Sequence, residues 1–259
     1  MSKLKDAIYG FAIGDALGVP YEFKERGTFN CQTMIGHGTW NQKAGTFSDD
    51  TSLTLATCAS IKKYGVIKYQ DIMKRFTRWY IDGEYAIDRV VFDIGNTTMS
   101  AIHKFDGINP FCGDTDAWSN GNGSLMRVLP LAFVNNITDD EIANVSRLTH
   151  ANKLSIDICI KYVRLAQDII NGNAVELSYE EPIKSTGFVK DTFNSVIYAF
   201  STTSSYKECV LKAVNLGGDT DTITAIAGGL AGIKYGYDSI PREWIKILRG
   251  KDIIDSCLF

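Results

Sequence analysis

The sequence predicts an all-α fold in a single domain spanning residues 1–259. Three observations carry that expectation. Apolar residues recur at helical spacing in one segment after another. Strand-like alternation is nearly absent, and no β-rich runs alternate with helices, so a doubly wound sheet is not supported. Only five prolines occur and no low-complexity linker interrupts the pattern, so nothing divides the chain into two units.

In order along the chain, Leu4, Ile8, Phe11 and Asp15 recur at helical spacing and predict a first amphipathic helix. Asp15 falls on its apolar face, where a buried carboxylate needs backbone or polar partners. Thr51–Lys63 follows an acidic start, and Tyr69–Tyr80 and Asn96–Lys104 continue the series. Asp139–Leu148, Lys153–Asn171, Gly187–Phe200 and Tyr206–Asn215 come next. Asp221–Tyr235 is unusually smooth, being made largely of Ala, Gly, Ile and Leu. Such a helix lets neighbouring backbones come close and is expected at the centre. Pro241–Arg249 closes the series, with Pro at a first helical turn. Gly-rich loops at Gly27–Gly45 and Phe111–Ser124 stand where binding residues usually sit.

A net charge of −3 offers no basic surplus to phosphates, so nucleic acid is not an expected partner. The stretch Ile223–Ile233 is too short to span a bilayer, so no membrane association is expected. The six cysteines are scattered without a C-x-x-C pair, which argues against zinc and for reduced thiols in a cytoplasm. Nothing demands a partner subunit, and a monomer is expected.

Two acidic motifs carry the chemistry. Ser48-Asp49-Asp50-Thr51 read alone is a helix N-cap, since Ser and Asp accept orphan backbone N–H groups. Gly217-Gly218-Asp219-Thr220-Asp221-Thr222 also precedes a helix, here the smooth central one. Paired carboxylates at a buried helix start exceed what capping needs. If the two starts meet, their carboxylates cannot all remain ionised without a counter-charge, and neither motif carries Lys or Arg. Carboxylate and hydroxyl oxygens suit a hard divalent cation, so magnesium or manganese is the natural choice.

Further segments complete a pattern. They are Gly10-Phe11-Ala12-Ile13-Gly14-Asp15-Ala16-Leu17-Gly18, Phe92-Asp93-Ile94-Gly95-Asn96-Thr97-Thr98, Ser119-Asn120-Gly121-Asn122-Gly123-Ser124-Leu125-Met126-Arg127, and Thr149-His150. Together with the acidic motifs, in this order and over nearly the whole chain, they resemble the ADP-ribosylglycohydrolase family. That family includes dinitrogenase-reductase-activating glycohydrolases and ADP-ribosylarginine hydrolases. The resemblance implies an orthogonal multi-helix bundle with a central binuclear metal site holding two divalent cations, Mg2+ or Mn2+. The implied ligands are Ser48, Asp49, Asp50, Asp219, Asp221 and Thr222. Ser48 stands where the family often has Thr, and both offer a hydroxyl.

The implied reaction is hydrolysis of the bond between ADP-ribose and a modified side chain, with an ADP-ribosylated protein as substrate and ADP-ribose as product. Asp93 is the candidate carboxylate at the scissile bond, able to pair with a guanidinium or assist proton transfer. Its D-I-G-N setting resembles the arginine-specific members, so the expected link is N-glycosidic to arginine. Asp49, Asp50 and Glu22 are the other candidate catalytic groups, although a loop Glu is by default a solvated surface residue. Asn96 is expected to orient the substrate. Asn120, Gly121, Asn122, Gly123 and Ser124 form the loop expected at the diphosphate, with His150 as a further contact. Tyr21 and Trp118 are weaker candidates to stack on adenine, while His37 and His103 are read as structural or surface residues. Arg127 is expected to brace the loop or a carboxylate. The rivals are O-linked ADP-ribose on serine, a free ADP-ribosyl metabolite, a two-metal phosphohydrolase, and a non-catalytic relative. All six ligand positions keep oxygen side chains, which argues against the last.

Overall fold

The helices run in order α1 (Lys3–Gly18), α2 (Asp49–Tyr64), α3 (Tyr69–Asp82), α4 (Asn96–Lys104) and α5 (Asp139–Arg147) in the computed structural model, which describes residues 2–259. They continue as α6 (Lys153–Asn171), α7 (Val189–Ser201), α8 (Tyr206–Val214), α9 (Thr220–Tyr235), α10 (Arg242–Ile247) and α11 (Lys251–Cys257). Short 3-10 turns fill several connections. Among the described residues the only β pairing is isolated bridges, so the all-α expectation holds. No described helix is long and apolar enough to cross a membrane.

The helix boundaries follow local chemistry. Ser48, Asn152 and Ser205 cap α2, α6 and α8 by accepting backbone N–H groups. Thr138 and Glu141 form a reciprocal capping box at α5. Gly65 (φ 69°), Gly83 (φ 68°) and Gly172 (φ 72°) end α2, α3 and α6 in the left-handed region.

The centre is the antiparallel pair α1 and α9. The backbones touch through glycines four residues apart. A Cβ on Gly10 would lie 2.4 Å from the Gly228 carbonyl oxygen, and one on Gly14 would lie 2.3 Å from that of Thr224. One on Gly18 would lie 2.3 Å from the Asp221 Cα. This antiparallel register places the last turn of α1 beside the first turn of α9, and the functional site grows from that junction.

Two expectations need correction, and one helix is added to the series. The first helix is not amphipathic: residues Asp6 to Gly18 are buried on every face, because its small residues admit neighbours all round. The helix expected from Gly187 begins at Val189, since the Gly187 carbonyl accepts the Asn122 N–H and Phe188 is extended. The C-terminal α11 was not foreseen; its seven residues are too few to show a period, and Gly250 (φ 66°) separates it from α10.

Candidate active site

Asp15 is where the site begins. It lies one turn before the end of α1, fully buried, and reaches the start of α2. Its Oδ1 accepts the Ser48 N–H (2.9 Å), and its Oδ2 accepts the Thr51 N–H (3.0 Å) and hydroxyl (2.6 Å). A side chain of α1 thus caps α2 and fixes the first acidic motif against the helix pair. Ser48 adds its own cap on the Asp50 N–H (3.2 Å). The second motif opens α9, which packs on α1, so both motifs arrive at one place. The Thr222 hydroxyl donates across the join to Asp50 Oδ1 (3.3 Å).

Carboxylates crowd this junction. Asp15, Asp50 and Asp221 each present an oxygen within 4.8 Å of the others, and so do Glu22, Asp219 and Asp221. Asp221 belongs to both groups. Burial is the largest influence on every one of them and favours the protonated form. It raises Asp15 to about 6, against the opposing hydrogen bonds from Thr51 and Ser48. It raises Glu22 to about 7, against the Trp40 indole N–H that donates to Oε2. Asp49, Asp50 and Asp221 are pushed well above the usual carboxylate range by burial and by their neighbours' charges. Asp219 is raised by burial, and Asp93 far more so by burial and the charges of Asp221 and Asp49. Among the described residues, no ion pair between a cationic side chain and a carboxylate involves any member of this cluster.

The cluster therefore contains acceptors in excess of donors. Among the described residues, Asp50 Oδ2 and Asp221 Oδ2 are buried without a hydrogen-bond partner. A hard divalent cation fits this set, which is all oxygen and lacks the nitrogen or sulfur that softer metals favour.

The cluster opens into a cleft of about 280 Å³, lined among others by Glu22, Asp49, Asp93, Asp219 and Thr222. Asn96, Gly121, Asn122, Gly123 and His150 line the same cleft. Asp93 holds a left-handed backbone (φ 66°) just before α4, and Asn96 opens that helix. Glycine is required at 123, where a Cβ would lie 2.8 Å from Thr98 Oγ1 and 2.9 Å from His150 Cε1. Asn122 ties the loop to the acidic motif: its amide donates to Asp219 Oδ2 (2.7 Å) and Thr192 Oγ1 (2.9 Å). Its backbone N–H reaches the Gly187 carbonyl (3.0 Å).

Most of the residues singled out from the sequence meet here, and some do not. Ser48, Asp50 and Asp221 lie buried at the junction of the two motifs. Asn120 and Ser124 are corrections. The Asn120 side chain is held between the Ala117 carbonyl and the Ser155 hydroxyl, and does not line the cleft. Ser124 is fully buried against Ser146 and Cys159, because the loop turns inward into a 3-10 helix after Gly123. Tyr21 is a core residue stacked on Phe29, with ring centres 4.6 Å apart. Trp118 is 95% exposed and outside the cleft lining. Glu22 departs from its surface default, at 4% exposure. His37 and His103 are exposed, bonded to Asn41 and Tyr80. Arg127 braces the loop but bonds to Val145 and Thr149, not to a carboxylate.

Sequence reasoning gave Asp15 backbone partners and missed its place in the cluster. It missed Trp40 altogether, and it placed Thr98 in a motif without assigning it to the site. Asp15 carried a usable signal, a carboxylate on an apolar helix face. Trp40 carried none, since it reaches Glu22 from a separate loop.

The sequence profile of the ADP-ribosylglycohydrolase family matches residues 1–258. The chain is 32% identical over 267 residues to the ADP-ribosyl-[dinitrogen reductase] glycohydrolase of Rhodospirillum rubrum, covering 93% of this chain and 88% of that protein. It is 29% identical over 275 residues to the ADP-ribosylarginine hydrolase Tri1 of Pseudomonas putida (strain GB-1), covering 95% of this chain and 74% of the relative. A solved structure described as an ADP-ribosylglycohydrolase-related protein complex superposes with a TM-score of 0.86 at 27% identity, covering 98% of this chain and 95% of the other.

Proposed function

Because the chain belongs to the ADP-ribosylglycohydrolase family and is a glycohydrolase, we propose that it hydrolyses the N-glycosidic bond between ADP-ribose and an arginine side chain of a protein, using two magnesium or manganese ions. The observation that carries this reading is a buried carboxylate cluster, without a cationic partner among the described residues, opening into the same cleft as Asp93 and the 121–123 glycine loop.

Asp49, Asp50, Asp219 and Asp221, with the Ser48 and Thr222 hydroxyls, would hold the cations, and Asp15 and Glu22 stand beside them. Bound divalent cations would neutralise the cluster, grip ribose hydroxyls and acidify a water. The protein groups divide the remaining work. The Gly121 and Gly123 segment lets the diphosphate approach backbone N–H groups. Asn122 keeps Asp219 oriented, and Trp40 keeps Glu22 oriented. Asp93 accepts the guanidinium through a charge-assisted pair, which also draws its own proton affinity down. The carboxylates around the cleft favour the positive charge that develops on the ribose as the bond to nitrogen breaks.

The direct test is hydrolysis of ADP-ribosyl-arginine with magnesium, with manganese and with EDTA. Intact ADP-ribose as product, lost in EDTA, supports the reading; release of AMP, or full activity in EDTA, overturns it. Asp93→Asn separates the leaving groups. It is expected to lower kcat/KM for arginine-linked substrate by about 100-fold, equivalent to about 2.7 kcal/mol, because the guanidinium loses its charged partner. Serine-linked ADP-ribose has no guanidinium and is expected to change by less than about threefold if it is cleaved at all. Equal losses on both substrates would show that Asp93 does not read the arginine.

Metal removal has its own signature in pH. Asp15 rises from 3.8 to about 6 on folding and Glu22 from 4.5 to about 7, so the folded state binds protons more tightly than the unfolded one. The stability tied to these groups is fully present below about pH 4 and is lost as pH rises through about 6 and 7. Metal-stripped protein is therefore expected to melt at lower temperature as pH is raised from about 5 to 8. Manganese at about 100 times its Kd should add about 2.7 kcal/mol, raising Tm by roughly 5 to 10 °C near pH 8 and by much less near pH 5. A stripped protein whose Tm climbs with pH over that range would count against the cluster as the titrating element.

A further inference from the structure

Arg127 never reaches the cleft, yet it is joined to it by a short chain of hydrogen bonds. Its side chain is fully buried, with the guanidinium 4.8 Å from the Phe76 ring centre. One nitrogen donates to the Val145 carbonyl (3.2 Å), and another donates to Thr149 Oγ1 (2.7 Å). Thr149 Oγ1 lies 2.8 Å from His150 Nδ1. The far side of the imidazole faces the glycine loop: Nε2 lies 3.5 Å from where a Cβ would stand on Gly121 and 3.4 Å from one on Gly123. Among the described residues Nε2 has no hydrogen-bond partner, and His150 lines the cleft.

The direction of this chain follows from donor and acceptor counting. A guanidinium has donors only, so it fixes Thr149 Oγ1 as an acceptor on that side. The Thr149 hydroxyl has one proton, and of its two partners among the described residues only His150 Nδ1 is able to accept it. The alternative, an Nδ1–H donating to Oγ1, would leave the buried hydroxyl proton unpaired, so the satisfied arrangement sends that proton to a bare Nδ1. A neutral imidazole carries a single N–H, so the proton sits on Nε2. The ring stays neutral, since burial and the charge of Arg127 hold its pKa down to about 3.

We propose that Arg127 and Thr149 are positioning residues that lock His150 as a neutral Nε2–H donor facing the cleft, where it selects an acceptor oxygen of the ligand. Which ligand supplies that oxygen rests on the reading above, ADP-ribose; the tautomer does not. A fixed neutral donor donates to a phosphate, carbonyl or hydroxyl oxygen and disfavours a cation or a second donor at that position. An imidazole free to exchange its proton would discriminate less.

The test reads the tautomer directly. Long-range 1H–15N NMR on magnesium-loaded, histidine-labelled protein resolves three histidines, and His150→Gln identifies the signal of interest. The wild type is expected to show His150 with its proton on Nε2 and no titration between about pH 5 and 8. Thr149→Val should release the lock, with the Nδ1–H form appearing and the Kd for ADP-ribose weakening by about tenfold. Thr149→Ser, which restores the hydroxyl, should recover both. A wild-type Nδ1–H signal would overturn the proposal without any variant having to fold. So would a folded Thr149→Val protein that keeps the Nε2–H form. These spectra are taken without ligand, so they stand whether or not ADP-ribose binds, and a failure of the functional reading shows separately in the titration.

Discussion

Asp221→Asn is expected to lower kcat/KM toward ADP-ribosyl-arginine by about 1,000-fold or more, equivalent to at least about 4 kcal/mol, and to leave no more than one bound manganese. Asp221 is the carboxylate common to both close groups, with Asp15 and Asp50 on one side and Glu22 and Asp219 on the other. Its Oδ1 accepts the Thr222 N–H (2.9 Å), and its Oδ2 is buried without a partner among the described residues. The amide of Asn keeps the first bond and so keeps the start of α9. It replaces the second oxygen or its charge, which is what a hard cation requires. The metal-free variant should be no less stable than metal-free wild type near pH 8, since one charge leaves a crowded cluster. That separates loss of function from loss of fold. Calorimetric titration with manganese, thermal unfolding and turnover on the same preparation decide the matter. Two ions bound with activity within about tenfold of wild type would refute the assignment.

What could be read from the sequence divides along physical lines. The acidic motifs were legible because capping residues, carboxylate pairs and a following apolar run are local patterns. The segment from Asp93 to Asn96 and the Gly121 to Gly123 turn were legible as short motifs, and each lines the cleft. The same motif logic overreached at Asn120 and Ser124. Membership in a motif does not say which residues face outward, and here the chain turns inward after Gly123. Trp40 was invisible for the opposite reason: no local pattern links it to Glu22, and only folding brings the indole to the carboxylate. Trp118 shows that exposure of an aromatic near a binding loop is not enough to make it a platform. The mistaken amphipathicity of α1 has the same root. Helical periodicity marks the apolar face, but Gly and Ala on the other faces are silent about whether they meet water or another backbone.

That silence matters most at Gly18, and Gly18→Ala should reveal it. A Cβ there would lie 2.3 Å from the Asp221 Cα, 2.4 Å from the Asp221 nitrogen and 2.5 Å from the Thr220 carbonyl oxygen. All three are backbone atoms, so no rotamer change relieves the overlap, and α1 and α9 must separate. Overpacking of this kind costs about 3 kcal/mol, and the expected fall in Tm is roughly 6 to 12 °C. Two of the displaced atoms belong to Asp221, so manganese affinity should fall by about tenfold or more even at temperatures where the variant is folded. Gly14→Ala supplies the comparison. Its Cβ would lie 2.3 Å from the Thr224 carbonyl oxygen, about one turn further into α9, so it should destabilise the pair to a similar extent with a smaller effect on the metal. Thermal unfolding of both metal-stripped variants, paired with manganese titration well below Tm, distinguishes the two effects. Equal loss of metal affinity in both would mean that the whole helix pair moves as a unit. A wild-type Tm for Gly18→Ala would mean that the close approach of α1 and α9 does not set the position of Asp221.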